Sequence, residues 1–132
     1  MVLGGVTVCE TRRAVRLLET SHPPSWYLPV ADWLPGSLRP ADGTSVCEWK
    51  GVASYLDVVG GEVVAARAAW TYPDPVAAYA ALRDHVAVYP HAMDRCLVDG
   101  EVVRAQQGGF YGGWVTSDVV GPFKGVPGSW GW

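Results

Sequence analysis

Tyr55-Leu56-Asp57-Val58-Val59-Gly60-Gly61-Glu62-Val63-Val64-Ala65-Ala66 is the stretch that decides the fold. Two runs rich in β-branched residues flank a glycine pair, and glycine adopts without strain the positive backbone angles of a tight primed turn. The stretch therefore predicts a β-hairpin. Asp99-Gly100, between Cys96-Leu97-Val98 and Glu101-Val102-Val103, predicts a second one. Further strands are expected at Val6-Thr7-Val8-Cys9, within Ala14 to Glu19, over Ser25 to Val30, and at Val86-Ala87-Val88-Tyr89. Trp33 to Thr44 holds Pro35, Gly36, Pro40 and Gly43 and reads mostly as loop, with Ser37-Leu38-Arg39 pairing briefly. One short helix is expected near 75–84. Asp74 would be its N-cap and Pro75 its first residue, with Val76, Tyr79, Ala80 and Arg83 at helical spacing.

Composition agrees with a mainly β (α+β) chain, a compact single domain of short antiparallel strands and hairpins. At 132 residues, 49% hydrophobic and 17% charged, it has the balance of one ordinary globular domain. Sixteen glycines, ten prolines and seven tryptophans suit short strands and tight turns rather than a helix bundle. The net charge of -3 lacks the basic footprint that nucleic acid or an anionic membrane requires. No apolar run approaches the length of about 20 residues that spans a bilayer. Three widely spaced cysteines and no leader-like start favour free thiols in a reducing cytoplasm.

Chemistry concentrates in Val46-Cys47-Glu48-Trp49-Lys50-Gly51-Val52-Ala53-Ser54-Tyr55. A nearby ammonium lowers a thiol's pKa, so Cys47 and Lys50 are candidate catalytic residues. Positions three apart in a strand point to opposite faces, so the two meet only where the chain turns or bulges, and Gly51 allows that. The alternatives are a ligand-lining pocket, or a buried apolar cysteine beside a surface lysine. Trp49, Lys50, Tyr55, Asp57, Trp70 and Tyr72 form the candidate ligand-binding set, with Tyr55 and Asp57 on one strand face. Glu19 and His22, flanking a double proline, join it as a candidate acid and base. Cys9, Cys47, Cys96, His22, His85 and His91 lack the close pairing of metal ligands, so no metal site is assigned. The residues name no cofactor. A nucleotide remains open as a ligand, although the Gly-x-x-x-x-Gly-Lys-Ser/Thr loop is absent.

Arg16-Leu17-Leu18-Glu19-Thr20-Ser21-His22-Pro23-Pro24, Cys47 to Tyr55, Ala69-Trp70-Thr71-Tyr72-Pro73-Asp74-Pro75 and Val88-Tyr89-Pro90 occur in an order that resembles a family of small bacterial proteins, domain of unknown function DUF427. The resemblance implies a compact, mainly β domain with one short helix and no established activity. Residues from Gly109 to Trp132 look like the extension of actinobacterial members. Some labels for the family read nucleotidyltransferase-like. Metal-dependent nucleotidyl transfer needs paired carboxylates near a glycine-serine turn. Gly36-Ser37 is present, but no closely spaced acidic pair follows, and Asp42 stands alone.

The chain divides into a body, 1–107, and a glycine- and aromatic-rich extension, 108–132, expected to pack on the body or on a partner. The leading expectation is a small-molecule-binding domain, possible as an enzyme, with a pocket built from Cys47–Tyr55 and Trp70–Pro73. The alternative is a noncatalytic interaction module in which the aromatic tail makes a homodimer. A third is a thiol-dependent enzyme at Cys47.

Overall fold

The computed structural model describes residues 1–19, 22–47, 49–107 and 112–119. Its centre is a six-stranded antiparallel sheet. The strands of the chain are β1 (Val2–Leu3), β2 (Val6–Thr7), β3 (Val15–Leu17), β4 (Ser25–Pro29), β5 (Leu38–Cys47), β6 (Gly51–Gly60), β7 (Val63–Thr71), β8 (His85–Val88), β9 (Leu97–Val98), β10 (Glu101–Val102), β11 (Arg104–Ala105) and β12 (Trp114–Val115). The sheet runs β3-β4-β8-β7-β6-β5, and β1–β2, β9–β10 and β11–β12 are two-stranded hairpins or ladders.

The β6–β7 hairpin forms where the glycine pair predicts it, displaced by one residue. Gly60 pairs with Val63, so the turn residues are Gly61 and Glu62. Gly61 has φ +57°, the pattern of a turn with glycine at its first central position. Gly60 stays extended for a packing reason: a Cβ there would lie 2.1 Å from the Leu3 carbonyl oxygen. At β9–β10 both Asp99 and Gly100 have positive φ, the type I′ arrangement.

One local expectation is corrected, and a second holds in place but not in its capping. Trp33 to Thr44, expected as mostly loop with brief pairing at Ser37-Leu38-Arg39, gives its second half to a ten-residue strand, Leu38–Cys47. It carries Pro40 and Gly43 because its register breaks between Pro40 and Thr44, a bulge that tolerates a missing donor and a positive φ. The second concerns the helix near 75–84. The helical segment is Ala77–Leu82, of 3-10 type, interrupted at Tyr79 and without a side-chain cap. Asp74 does not cap it, since Val76 is the N-terminal flanking residue and its N–H goes back to the Lys50 carbonyl. The segment is tied to the β5–β6 turn before a regular helix can start. Other short 3-10 turns are Val30–Asp32 and Pro90–Ala92.

The period of two along each strand sorts side chains onto two faces. One face carries Leu28, Val58, Ala69, Val86 and Val88. Leu3, Val8, Cys9, Cys96, Val103 and Trp114, brought in from the hairpins, cover it. The opposite face carries Tyr27, Ala53 and Ala87, packed with Tyr72 and Leu82. Part of the extension belongs to the body: the Trp114 N–H donates to the Pro24 carbonyl, and its indole is buried in the first cluster.

Candidate functional site

The second face opens into a cavity of about 330 Å³. One wall is the turn that joins β5 to β6. Cys47 pairs with Gly51, and Lys50, in the turn that precedes Gly51, is folded inward. Gly51 has φ +120°, and a Cβ on it would press on the Asp74 carbonyl at 3.2 Å; this is where a glycine is required. The chain reversal brings Lys50 within electrostatic reach of Cys47, as the spacing demanded.

Lys50 is 8% exposed. Its Nζ donates to Glu19 Oε1 at 2.9 Å and lies 5.7 Å from the centre of the Tyr72 ring. Burial alone would lower the lysine pKa. Tyr27, negative only once its phenol ionises in alkali, and the hydrogen-bonded Glu19 carboxylate oppose it, and the net direction is upward, so the group is an ammonium. Glu19 keeps 43% of its side chain exposed and sits at the mouth.

Aromatic rings make the floor. Tyr27 packs edge-on to Trp70, with centroids 6.3 Å apart, and its hydroxyl accepts the Trp70 indole N–H at 3.2 Å. Tyr89 lies tilted against Trp70, with centroids 4.7 Å apart. Burial raises the pKa of Tyr27, Tyr72 and Tyr89, so all three are neutral phenols that can donate. Tyr55 donates to Ser45 Oγ at 3.1 Å, and the Arg67 guanidinium stacks 4.5 Å from its ring.

The far wall comes from beyond β10. Gln106 Oε1 accepts the Gly113 N–H at 3.2 Å, and Gln106 Nε2 lies 3.1 Å from His22 Nδ1. A Cβ on Gly112 would sit 2.3 Å from the Trp70 ring, and one on Gly113 2.3 Å from Pro23. Both glycines permit backbone to lie directly on side chains.

Among the residues expected at a site, Glu19, His22, Cys47, Lys50, Tyr55, Trp70 and Tyr72 line this cavity. Trp49 and Asp57 do not. Trp49 is 73% exposed in the turn before Gly51 and is not part of the lining. Asp57 lies at a break in the β6–β7 register and accepts the Arg67 N–H at 2.8 Å, which supports the positive φ of Arg67. Tyr89, Ser45, Gln106, Gly112 and Gly113 are the additions. The glycine pair before Trp114 was a usable signal for close backbone approach; Gln106 and Ser45 come together with the site through tertiary packing.

Cys9 and Cys96 are in the opposite cluster, far from metal-like grouping with Cys47. Among the described residues no three or more His, Cys, Asp or Glu side chains come together as a metal site would need. The Gly36-Ser37 turn is structural: Ser37 Oγ donates to the Leu34 carbonyl at 2.6 Å, and Asp42 lies in the β5 bulge. All three cysteines are free. No helix among the described residues is long and apolar enough to cross a membrane.

An antiparallel sheet covered on one face by hairpins and hollowed on the other into a ring-walled cleft defines the class as a mainly β domain. Its particular family follows from the sequence: the chain belongs to the family described as domain of unknown function DUF427, whose model matches residues 1–99. No curated protein matches the sequence.

Proposed function

We propose that this domain binds a small molecule that carries an anionic group on a flat apolar body, with Lys50 and the neighbouring phenols receiving the anion and the Tyr27, Trp70 and Tyr89 rings enclosing the rest. The observation that carries the reading is a buried ammonium facing a cavity of ligand size, balanced by a carboxylate that is itself half in water. Burying a cation costs several kcal/mol, and a single half-exposed carboxylate offsets only part of that cost, which favours a further anionic partner from outside the chain. One of its three N–H groups goes to Glu19. An incoming anion would share or replace that partner. Its raised pKa works against an amine nucleophile and for an electrostatic role. Three free thiols suit a reducing cytoplasm.

Benzoate, a carboxylate on one flat ring, is the minimal probe. Calorimetric titration should give saturable binding that Lys50→Met weakens at least about tenfold, the loss expected when a charge-assisted hydrogen bond is removed. Equal binding by both proteins would end the reading. Native mass spectrometry of the freshly purified chain beside a denatured control would then identify any ligand retained from the cell, and would read self-association at the same time.

A further inference from the structure

The Tyr72 side chain lines the Lys50 cleft and is only 5% exposed, yet its hydroxyl has no hydrogen-bond partner among the described residues. It is not sealed off. Among the described side chains the Trp114 indole N–H is the one group both unpaired and closed to solvent, so the Tyr72 hydroxyl still opens on the cavity. Burial raises its pKa, and the group remains a neutral phenol with a proton to donate. Lys50 Nζ stands 5.7 Å from the centre of the same ring and, among the described residues, donates only to Glu19. Two donors, one charged and one neutral, thus share one end of the cleft. Resting on the anion-binding reading above, we propose that the anion is a carboxylate held between Lys50 Nζ and the Tyr72 hydroxyl, and that the dianionic group of a phosphate monoester is disfavoured.

The charge of the walls sets that class. Lys50 and Glu19 are the lysine and the carboxylate of the described lining, and their charges cancel. The Gln106 Oε1 accepts the Gly113 N–H, so its amide nitrogen faces His22 Nδ1 as a donor. That imidazole nitrogen therefore accepts, and the ring adds no second positive charge. Arg67 is engaged on the Tyr55 ring and is not part of the lining. A carboxylate brings one negative charge over two coplanar oxygens, which two donors can receive. A phosphate monoester brings a charge approaching about −2 at neutral pH on three oxygens. With one ammonium to meet it, and Glu19 beside that ammonium, its second charge would stay unmatched in a partly desolvated cleft.

The test is calorimetric titration of the full chain at pH about 8, where phenyl phosphate is a dianion. Phenyl phosphate should bind at least about tenfold more weakly than benzoate. Tyr72→Phe keeps the ring and should weaken benzoate about tenfold, the loss of a hydrogen bond to a charged group. Its thermal midpoint should stay level or rise, because the hydroxyl has no internal partner to lose. Unchanged benzoate affinity in Tyr72→Phe overturns the proposal, and a lowered midpoint does so as well by making the hydroxyl structural. Phenyl phosphate binding as tightly as benzoate, with both weakened by Lys50→Met, overturns the carboxylate assignment and leaves the anion reading standing. If neither probe binds, or if Lys50→Met changes nothing, both fall together. The comparison of the two probes needs no variant, so it decides even where Tyr72→Phe does not fold.

Discussion

Replacing Lys50 by methionine keeps most of its volume and removes its charge, whereas replacing Glu19 by alanine strands the ammonium. A buried ion pair often gives way to an apolar side chain at no cost, but losing one partner leaves an uncompensated charge. Solvent reaches Glu19, so the penalty is discounted to about 1 kcal/mol. Glu19→Ala should therefore lower the urea midpoint while Lys50→Met leaves it unchanged or raises it. Equal losses would make Lys50 a structural residue and weaken the case for a binding role. Alkali gives a second expectation. Burial pushes the Cys9 and Cys96 thiols up to about 12 from an ordinary value of 9.0, so between these limits the unfolded chain releases protons that the folded chain keeps. Stability falls as pH rises through that window, by about 1.4 kcal/mol per pH unit for each thiol. The raised Lys50 pKa acts in the same sense, its contribution complete below the unfolded value and lost as pH passes the folded one. Denaturant titrations from pH 9 upward should show a shallower decline in the Cys9→Ala, Cys96→Ala double variant; identical slopes would contradict the assignment to these thiols.

The strands were legible where alternation and turn chemistry agreed. Gly60-Gly61 and Asp99-Gly100 each mark a hairpin that forms, because the positive φ needed at the turn restricts the sequence locally. Leu38–Cys47 was not, since Pro40 and Gly43 usually end a strand, and the bulge that admits them depends on Arg67 from β7: a Cβ on Gly43 would meet the Arg67 guanidinium at 3.1 Å. The short helix signalled by Pro75 forms, but its start moves to Ala77 because the Val76 N–H goes to a partner outside the segment, the Lys50 carbonyl. Sequence-local rules fail at these points because the deciding partner is remote. Gly60 supplies a test of such a partner. Gly60→Ala would drive a methyl into the Leu3 carbonyl, and should cost about 1–3 kcal/mol by displacing the β1–β2 hairpin. A thermal midpoint within about a degree of wild type would show that the hairpin does not bear on Gly60 as described.

At the scale of the molecule, the cleft draws on both ends of the sequence. All of its rings and Lys50 lie inside the family match at 1–99, but Gln106, Gly112 and Gly113 lie beyond it. Seven of the nine expected site residues converge, while of the far wall only the Gly112-Gly113 pair left a mark in the sequence and Gln106 left none. The expectation of a dimer through the aromatic tail falls mainly on residues 108–111 and 120–132, outside the described residues. Residues 112–119 do pack on their own body, with Trp114 in its core. Truncation after Gln107 should therefore cost the body its cooperative unfolding transition or its solubility. A truncated chain that melts like the full one would assign the extension to contacts outside the body.

The bulge in β5 has a further consequence. β5 is the outermost strand of the sheet on its side, with one line of backbone groups turned away from β6. A long uninterrupted line of that kind is a template on which other chains crystallise into fibrils, and proteins blunt it with prolines, charges and kinks. Pro40, Asp42 and Gly43 fall in the kinked half, leaving Thr44–Cys47 as the regular remnant. The kink that sets Gly43 beside the Arg67 guanidinium thus also interrupts that line, so straightening β5 should lengthen the edge on which a further strand could add.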